Sequence, residues 1–137
     1  MTGILIVTHA DLGRSLIETA SLILGREPEN LIFITIDIKE DPDHLRKKIK
    51  QAIAKVKGDN GVIILTDMFG GTPSNLSYSF LEEGKVEVIS GVNLPILLKA
   101  VTAREKMDMA KLTSSLVEHG KRSISLASGI LKGTKRA

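Results

Sequence analysis

Four short apolar runs, rich in β-branched residues, constrain the fold of this chain more than any other feature. They are GILIVT (residues 3–8), LIFITID (31–37), GVIILT (61–66) and VEVIS (86–90). Short and nearly continuous apolar runs are typical of strands that are buried on both faces. Because helical patterns fill the stretches between them, we expect a parallel sheet with right-handed crossovers.

Helices are predicted between and after these strands from apolar spacing and from terminal signals. In two places a capping residue precedes a proline, at Asp41-Pro42 and at Thr72-Pro73, and this combination is typical of helix starts. Gly120 is expected to end the last long helix. The predicted helices cover residues 12–24, 42–57, 72–81, 95–103 and 109–119.

The last apolar segment, RSISLASGIL, alternates between polar and apolar residues from Ser123 to Leu126. This period of two favours an edge strand over a helix. The predicted fold is therefore a three-layer α/β/α sandwich. Its mainly parallel sheet has the flavodoxin-like strand order 2-1-3-4, with a C-terminal antiparallel edge strand added.

The length of 137 residues suits a single domain over residues 1–137, in which residues 130–137 are expected to form a flexible basic tail. No apolar stretch is long enough to cross a membrane and no signal-peptide pattern is present, so a cytoplasmic protein is expected. Cysteine is absent, which excludes disulfides, thiolate zinc sites and thiol chemistry.

The net charge of +3 comes largely from basic residues near the C-terminus that lack acidic neighbours: Lys121, Arg122, Lys132, Lys135 and Arg136. A basic patch can bind nucleic acid, but charge runs at a terminus are more often solvated. One tyrosine, three phenylalanines and no tryptophan offer little surface for base stacking. We therefore expect no nucleic-acid partner.

Two of the strands end in polar residues that should meet in space. LIVTHADLG places His9 at the end of the first strand, and ILTDMFGGTP places Asp67 at the end of the third. In the order 2-1-3-4 these strands are neighbours where the strand order reverses, and ligands bind beyond the carboxyl ends there. A lone histidine at a strand end is usually a capping or packing residue. A carboxylate that binds one ring nitrogen, however, leaves the other as a directed nucleophile or base.

GGTP places Gly70 and Gly71 directly before a predicted helix start. Glycines permit close approach of the backbone, the first amides of a helix attract anions, and Thr72 adds a hydroxyl. Alone, these residues would better suit an ordinary glycine turn with a threonine cap. Together with His9 and Asp67, they predict a site that holds a phosphoryl group on the histidine, with Gly70, Gly71 and Thr72 binding the phosphate.

The other polar candidates favour structural roles. Asp11 is expected to cap the first helix, and His44 and His119 to be exposed helix residues. No set of histidines and carboxylates has metal-ligand spacing, and G-x-S-x-G is absent. A flavin or nucleotide module is disfavoured because aromatic residues are few and no hydroxyl-rich loop follows the first strand. We therefore expect neither a metal nor another cofactor.

Three segments carry a resemblance to a known family: IVTHADLGRSLIETASLILG, GVIILTDMFGGTPSNLS and VEVISGVNLPILLKAVTAR. In order and spacing they resemble the enzyme IIA (EIIA) domain of the mannose family of the bacterial phosphoenolpyruvate-dependent sugar phosphotransferase system (PTS). The resemblance covers essentially the whole chain. It implies a cytoplasmic phosphocarrier that accepts a phosphoryl group from the protein HPr and passes it to a histidine of a IIB partner for sugar uptake.

Carried over by motif, the resemblance makes His9 the phosphorylated residue and Asp67 the carboxylate that orients it, with Gly71 and Thr72 at the phosphate. It also implies a homodimer in which the C-terminal strand crosses to the second subunit. No IIB domain follows, so the IIB protein is expected to act in trans. Contact with the membrane is expected only through the transporter complex.

Two alternatives stay open within the same fold. One is a regulatory EIIA-like protein whose phosphorylation state signals carbon supply without feeding a transporter. The other is the phosphocarrier subunit of a dihydroxyacetone kinase, which has a similar fold and active histidine, although GVNLP and FGGTP favour the mannose type.

Overall fold

A computed structural model describes residues 1–132 and contains one four-stranded sheet. The strands are β1 (Gly3–His9), β2 (Leu31–Ile36), β3 (Val62–Thr66) and β4 (Val86–Ser90). They lie in the order β2-β1-β3-β4, and every pairing is parallel. The predicted strand order and direction are therefore confirmed.

Helices connect the strands and continue after β4. Within residues 1–132 they are α1 (Leu12–Leu24), α2 (Pro42–Val56), α3 (Thr72–Tyr78), α4 (Leu94–Ala103), α5 (Met109–Arg122) and α6 (Ala127–Leu131). The end of α3 comes earlier than the predicted Leu81. After Tyr78 the chain continues in turns in which a backbone N–H donates to the carbonyl three residues earlier, as the N–H of Ser79 does to the carbonyl of Leu76.

Side chains of β1 alternate between two buried cores on opposite faces of the sheet. Ile4 and Ile6 pack in a core with residues of α1, α4 and α5, whereas Leu5 and Val7 pack in a core with residues of α2 and α3. All four side chains are fully buried. A strand covered by helices on both faces has no polar side, which explains the continuous apolar run.

The predicted C-terminal edge strand is wrong for the described chain. Residues 124–126 form neither helix nor strand, and α6 follows them, so the sheet is entirely parallel. The N–H groups of Gly129 and Ile130 donate to the carbonyl of Leu126, and such local bonds satisfy backbone groups that a strand would present to a neighbour. A polar–apolar alternation of only four residues does not outweigh them.

Gly120 does not end α5, as the sequence had suggested. It is buried within the helix, and a Cβ atom there would lie 2.5 Å from Cδ1 of Ile96 on α4. The glycine therefore allows α4 and α5 to pack closely.

Of the predicted basic tail, Ile130 and Leu131 end α6, whereas residues 133–137 lie outside the described residues. None of the helices up to residue 132 is long and apolar enough to span a membrane.

Candidate functional site

His9 and Asp67 meet at the carboxyl edge of the sheet, as predicted. His9 is the last residue of β1, and Asp67 directly follows β3, the strand beside it. Oδ2 of Asp67 accepts a hydrogen bond from the backbone N–H of His9 at 2.9 Å and lies 2.8 Å from Nδ1 of the His9 ring. An ionised carboxylate can only accept, so Nδ1 carries the proton and Nε2 of the neutral ring is left as a free base.

Three donors fix the orientation of the Asp67 carboxylate. Besides the two contacts of Oδ2 with His9, Oδ1 accepts a hydrogen bond from the backbone N–H of Met68 at 3.0 Å. Burial raises the pKa of Asp67, but the hydrogen bonds from His9 and Met68, together with the charge interaction with His9, outweigh it and hold the pKa below its ordinary value. Asp67 is therefore a pre-oriented anion at neutral pH.

The turn from β1 into α1 projects the His9 ring into solvent. Ala10 adopts a left-handed conformation with φ of 47°, which costs a non-glycine residue about 1–2 kcal/mol. Oγ1 of the buried Thr8 accepts a hydrogen bond from the N–H of Gly13 at 2.9 Å, and this bond ties the end of β1 to the first turn of α1. The His9 side chain remains 40% exposed.

The β3–α3 loop (residues 67–71) lies against the His9 ring. Gly71 precedes α3, and a Cβ atom there would be 3.1 Å from Cε1 of His9, the ring atom between the two nitrogens. Gly70 has a left-handed φ of 84°, and its N–H donates to Oγ of Ser74 at 3.1 Å. Thr72 is the first residue of α3. The residues predicted to bind phosphate thus lie in one short segment, which meets the imidazole at the ring carbon next to Nε2.

Hydroxyl groups and aromatic rings support this loop from β4 and α3. Oγ1 of Thr66 donates to Oγ of Ser90 at 2.9 Å, and the hydroxyl of Tyr78 lies 3.1 Å from the same Ser90 oxygen. The Tyr78 ring packs against that of Phe69, with 6.0 Å between centroids. Met68 and Phe69 are nevertheless 56% and 79% exposed. The loop that meets His9 therefore presents two exposed apolar side chains.

The other sequence candidates lie in helices or at their ends. Asp11 occupies the N-cap position of α1, but its side chain makes no capping hydrogen bond, and the N–H of Gly13 donates to Thr8 instead. The predicted side-chain cap is therefore wrong. His44 is exposed on α2, with Nε2 3.4 Å from a Glu40 oxygen, and His119 is half-buried in the last turn of α5. Within the described residues, no three histidine, aspartate or glutamate side chains are grouped to hold a metal ion.

Thr8 and Ser74 were not singled out from the sequence, although each fixes one of the two loops at His9. A threonine one position before the candidate histidine and a serine in the first turn after a glycine pair are the available signals. Such hydroxyls commonly bond to nearby backbone groups.

The family described as "PTS system fructose IIA component" matches residues 3–117 of the chain. The chain belongs to this family, the mannose-type EIIA components of the PTS. It is 33% identical over 138 residues to the PTS system fructose-specific EIIA component of Bacillus subtilis (strain 168), covering all of this chain and 94% of that protein. The PTS system mannose-specific EIIAB component of Escherichia coli (strain K12) is 33% identical over 124 residues, 89% of this chain and 38% of that protein.

The fold agrees with solved EIIA structures. The phosphotransferase system component EIIA from Streptococcus agalactiae superposes with a TM-score of 0.83 at 25% identity, over 93% of this chain and 98% of that one. The protein is therefore an EIIA-type component of a sugar phosphotransferase system, and both the three-layer fold and the family resemblance are confirmed.

Proposed function

We propose that this EIIA component is a cytoplasmic phosphocarrier that accepts a phosphoryl group from HPr on Nε2 of His9 and passes it to a histidine of a IIB protein in trans. The observation that carries the proposal is the 2.8 Å contact between Asp67 Oδ2 and Nδ1 of His9, because it leaves Nε2 as the free ring nitrogen. The membrane is reached only through the transporter complex.

In the proposed reaction the lone pair of Nε2 attacks the phosphorus of phosphohistidine on HPr. A P–N bond forms to His9 while the P–N bond on HPr breaks, and its electron pair stays on the HPr nitrogen. The His9 ring gains positive charge as the new bond forms, and the ionised Asp67 stabilises that charge through Nδ1–H. No proton has to leave His9, so the protein contributes mainly position and electrostatics.

The phosphoryl oxygens are proposed to bind at Gly70, Gly71 and Thr72. The backbone N–H of Gly71 and the backbone N–H and hydroxyl of Thr72 are the donors that this segment can offer at the start of α3. Gly70 contributes chiefly through its left-handed conformation, since its N–H donates to Ser74. Phosphoryl transfer depends on such pre-positioned donors.

The exposure of the site suits a protein donor and a protein acceptor. The His9 side chain is 40% exposed, and the neighbouring Met68 and Phe69 present apolar surface. Exposed apolar surface next to a reactive group is typical of a contact area for another protein. HPr and the IIB protein are accordingly proposed to dock in turn on this surface.

A homodimer is proposed from the C-terminal segment. Ile124, Leu126 and Leu131 are 80%, 77% and 82% exposed, and β4 is an edge strand of the sheet. A groove of about 380 Å³ lies beside β4, with Val88 and Val117 in its walls. Packing of the apolar side chains of the C-terminal segment against β4 of a second subunit would cover both this groove and the free edge.

The proposal is tested by incubating the protein with phosphoenolpyruvate, enzyme I and HPr and measuring its intact mass. We expect the mass of a single phosphoryl group on the wild type and on His44→Ala and His119→Ala. The group should be labile in acid and stable in base. His9→Ala should take up none, and full labelling of that variant would rule out His9 as the acceptor.

A further inference from the structure

We propose that Ser74 is a positioning residue for phosphoryl transfer at His9, acting by locking the glycine pair of the β3–α3 loop against the imidazole ring. The proposal rests on the proposed function. Ser74 itself makes no described contact with His9; it acts through the loop backbone.

The hydroxyl of Ser74 bonds to both glycines at once. Its oxygen accepts a hydrogen bond from the N–H of Gly70 at 3.1 Å, and its O–H donates to the carbonyl of Gly71 at 3.0 Å. The side chain is fully buried, so water cannot readily replace either bond. One hydroxyl therefore fixes the backbone on both sides of the Gly70–Gly71 peptide.

The loop needs such a lock because glycine is the residue with the greatest conformational freedom. Gly70 adopts a left-handed φ of 84°, and nothing lies near the position of its missing Cβ atom. Besides Ser74, Gly70 is held by the exposed Asn75, whose amide donates to its carbonyl at 3.3 Å. Asn75 also reaches Gly71, but through its backbone, since its N–H donates to the Gly71 carbonyl at 2.9 Å. Of the two, only Ser74 bonds to both glycines through its side chain.

The position of Gly71 decides what the loop can do for His9. A Cβ atom on Gly71 would be 3.1 Å from Cε1 of His9, so the loop backbone is in contact with the reacting ring. If the Gly70–Gly71 peptide rotates, the amides of Gly71 and Thr72 turn away from the phosphoryl group. A displacement of about 1 Å in such a site can slow a reaction by about 100-fold.

Ser77 offers a matched control on the same helix. It is also a fully buried serine, but its hydroxyl donates to the carbonyl of Pro73 at 2.7 Å, within α3. Ser77→Ala therefore removes a buried hydroxyl and a hydrogen bond of α3 without touching the loop. Ser74→Ala removes the hydroxyl that reaches the loop.

The experiment measures single-turnover transfer from phosphorylated HPr over a range of HPr concentrations, together with hydrogen exchange of the Gly70 amide by NMR. For Ser74→Ala we expect the limiting rate to fall about 10-fold or more and the HPr concentration at half-saturation to change by less than about twofold. Exchange of the Gly70 amide should accelerate. Ser77→Ala should match the wild type in limiting rate, in the HPr concentration at half-saturation and in exchange of the Gly70 amide, even if it is less stable.

A limiting rate for Ser74→Ala equal to that of Ser77→Ala would overturn the proposal, as would unchanged exchange at Gly70. If Ser74→Ala does not fold, Ser74→Cys replaces it, because a thiol keeps the volume but bonds weakly; wild-type behaviour of that variant would also overturn the proposal. If the wild type takes no phosphoryl group from HPr, the proposed function is refuted as well. If the wild type transfers normally and Ser74→Ala transfers at the same rate, only the positioning role of Ser74 is refuted.

Discussion

Replacing Asp67 by asparagine keeps the shape of the side chain and removes its charge. In the structure the two carboxylate oxygens accept from three N–H donors, two on His9 and one on Met68. Asparagine has one oxygen and one NH₂ group, so one orientation places NH₂ against His9 and the other places it against Met68. In either orientation a donor faces a donor.

The size of the effect follows from these two orientations. With the oxygen toward His9, Nδ1 keeps its proton but its hydrogen bond loses the charged acceptor. A hydrogen bond to a charged group contributes about 1.5–3 kcal/mol and a neutral one about 0.5–1.5 kcal/mol, so the loss is about 1–1.5 kcal/mol. At about 1.4 kcal/mol for each factor of ten, transfer should slow by about 5- to 12-fold if that loss falls entirely on the transition state. With NH₂ toward His9, the tautomer with the proton on Nε2 is favoured, and the loss is greater because the nucleophile is blocked.

Rapid-quench transfer from phosphorylated HPr at a saturating concentration measures this loss directly. Asp11→Asn is the matched control, because Asp11 is a highly exposed carboxylate close to His9 in the chain and makes no described hydrogen bond to it. Asp11→Asn should transfer at the wild-type rate. Urea unfolding of both variants would establish that they remain folded.

A wild-type transfer rate in folded Asp67→Asn would refute the reasoning. It would mean that neither the negative charge of Asp67 nor the tautomer that it imposes on His9 contributes to the reaction. The contact between the two loops would then serve only to join β1 and β3.

Two further predictions concern stability and assembly. The folded-state pKa of Asp67 lies below its unfolded-state value of about 3.9. Its contribution to stability is therefore complete above that pH and is lost as the pH falls through the folded pKa. In urea titrations between about pH 5 and about pH 2, the unfolding free energy of Asp67→Asn should fall less than that of the wild type. A chain truncated after Ser123 lacks the exposed Ile124 and Leu126 and should sediment as a monomer where the full chain sediments as a dimer. A truncated chain that is still a stable dimer would contradict the proposed packing of the C-terminal segment against β4.

The sheet and the meeting of His9 with Asp67 could be predicted because they depend on a strong local pattern and a general rule. Runs such as Ile4 to Val7 have no polar side, which places the strand at the centre of a parallel sheet. Once the strand order is known, the carboxyl ends of neighbouring strands must lie side by side. Neither step requires knowledge of particular side-chain contacts.

Sequence features that are compatible with two different structures led to wrong predictions. Gly120 suits a helix stop, but it equally suits the close contact that it makes with Ile96. Asp11 and Thr8 can both accept a hydrogen bond from the first turn of α1, and only the three-dimensional turn selects Thr8. The alternation around Ile124 carries no information about whether a partner strand is within reach.

The polar contacts of the buried Arg104 with distant segments could not be inferred from the sequence. Arg104 is 3% exposed, and its guanidinium donates to the backbone carbonyls of Thr2 and Asn30. It has no carboxylate partner within the part of the chain that the structure describes. Backbone carbonyls are present at every residue, so the sequence does not show which of them will bind an arginine. Without the fold, such an arginine is predicted to be a surface residue.

The contacts of Tyr78 have an optical consequence. The chain has one tyrosine and no tryptophan, so its ultraviolet fluorescence originates essentially from a single ring. That ring packs on Phe69 and its hydroxyl lies beside Ser90, directly beneath the loop that meets His9. The unlabelled protein therefore carries a single fluorescent ring beside its candidate site. The binding of a partner that lacks tyrosine and tryptophan could be followed by its emission intensity and lifetime alone.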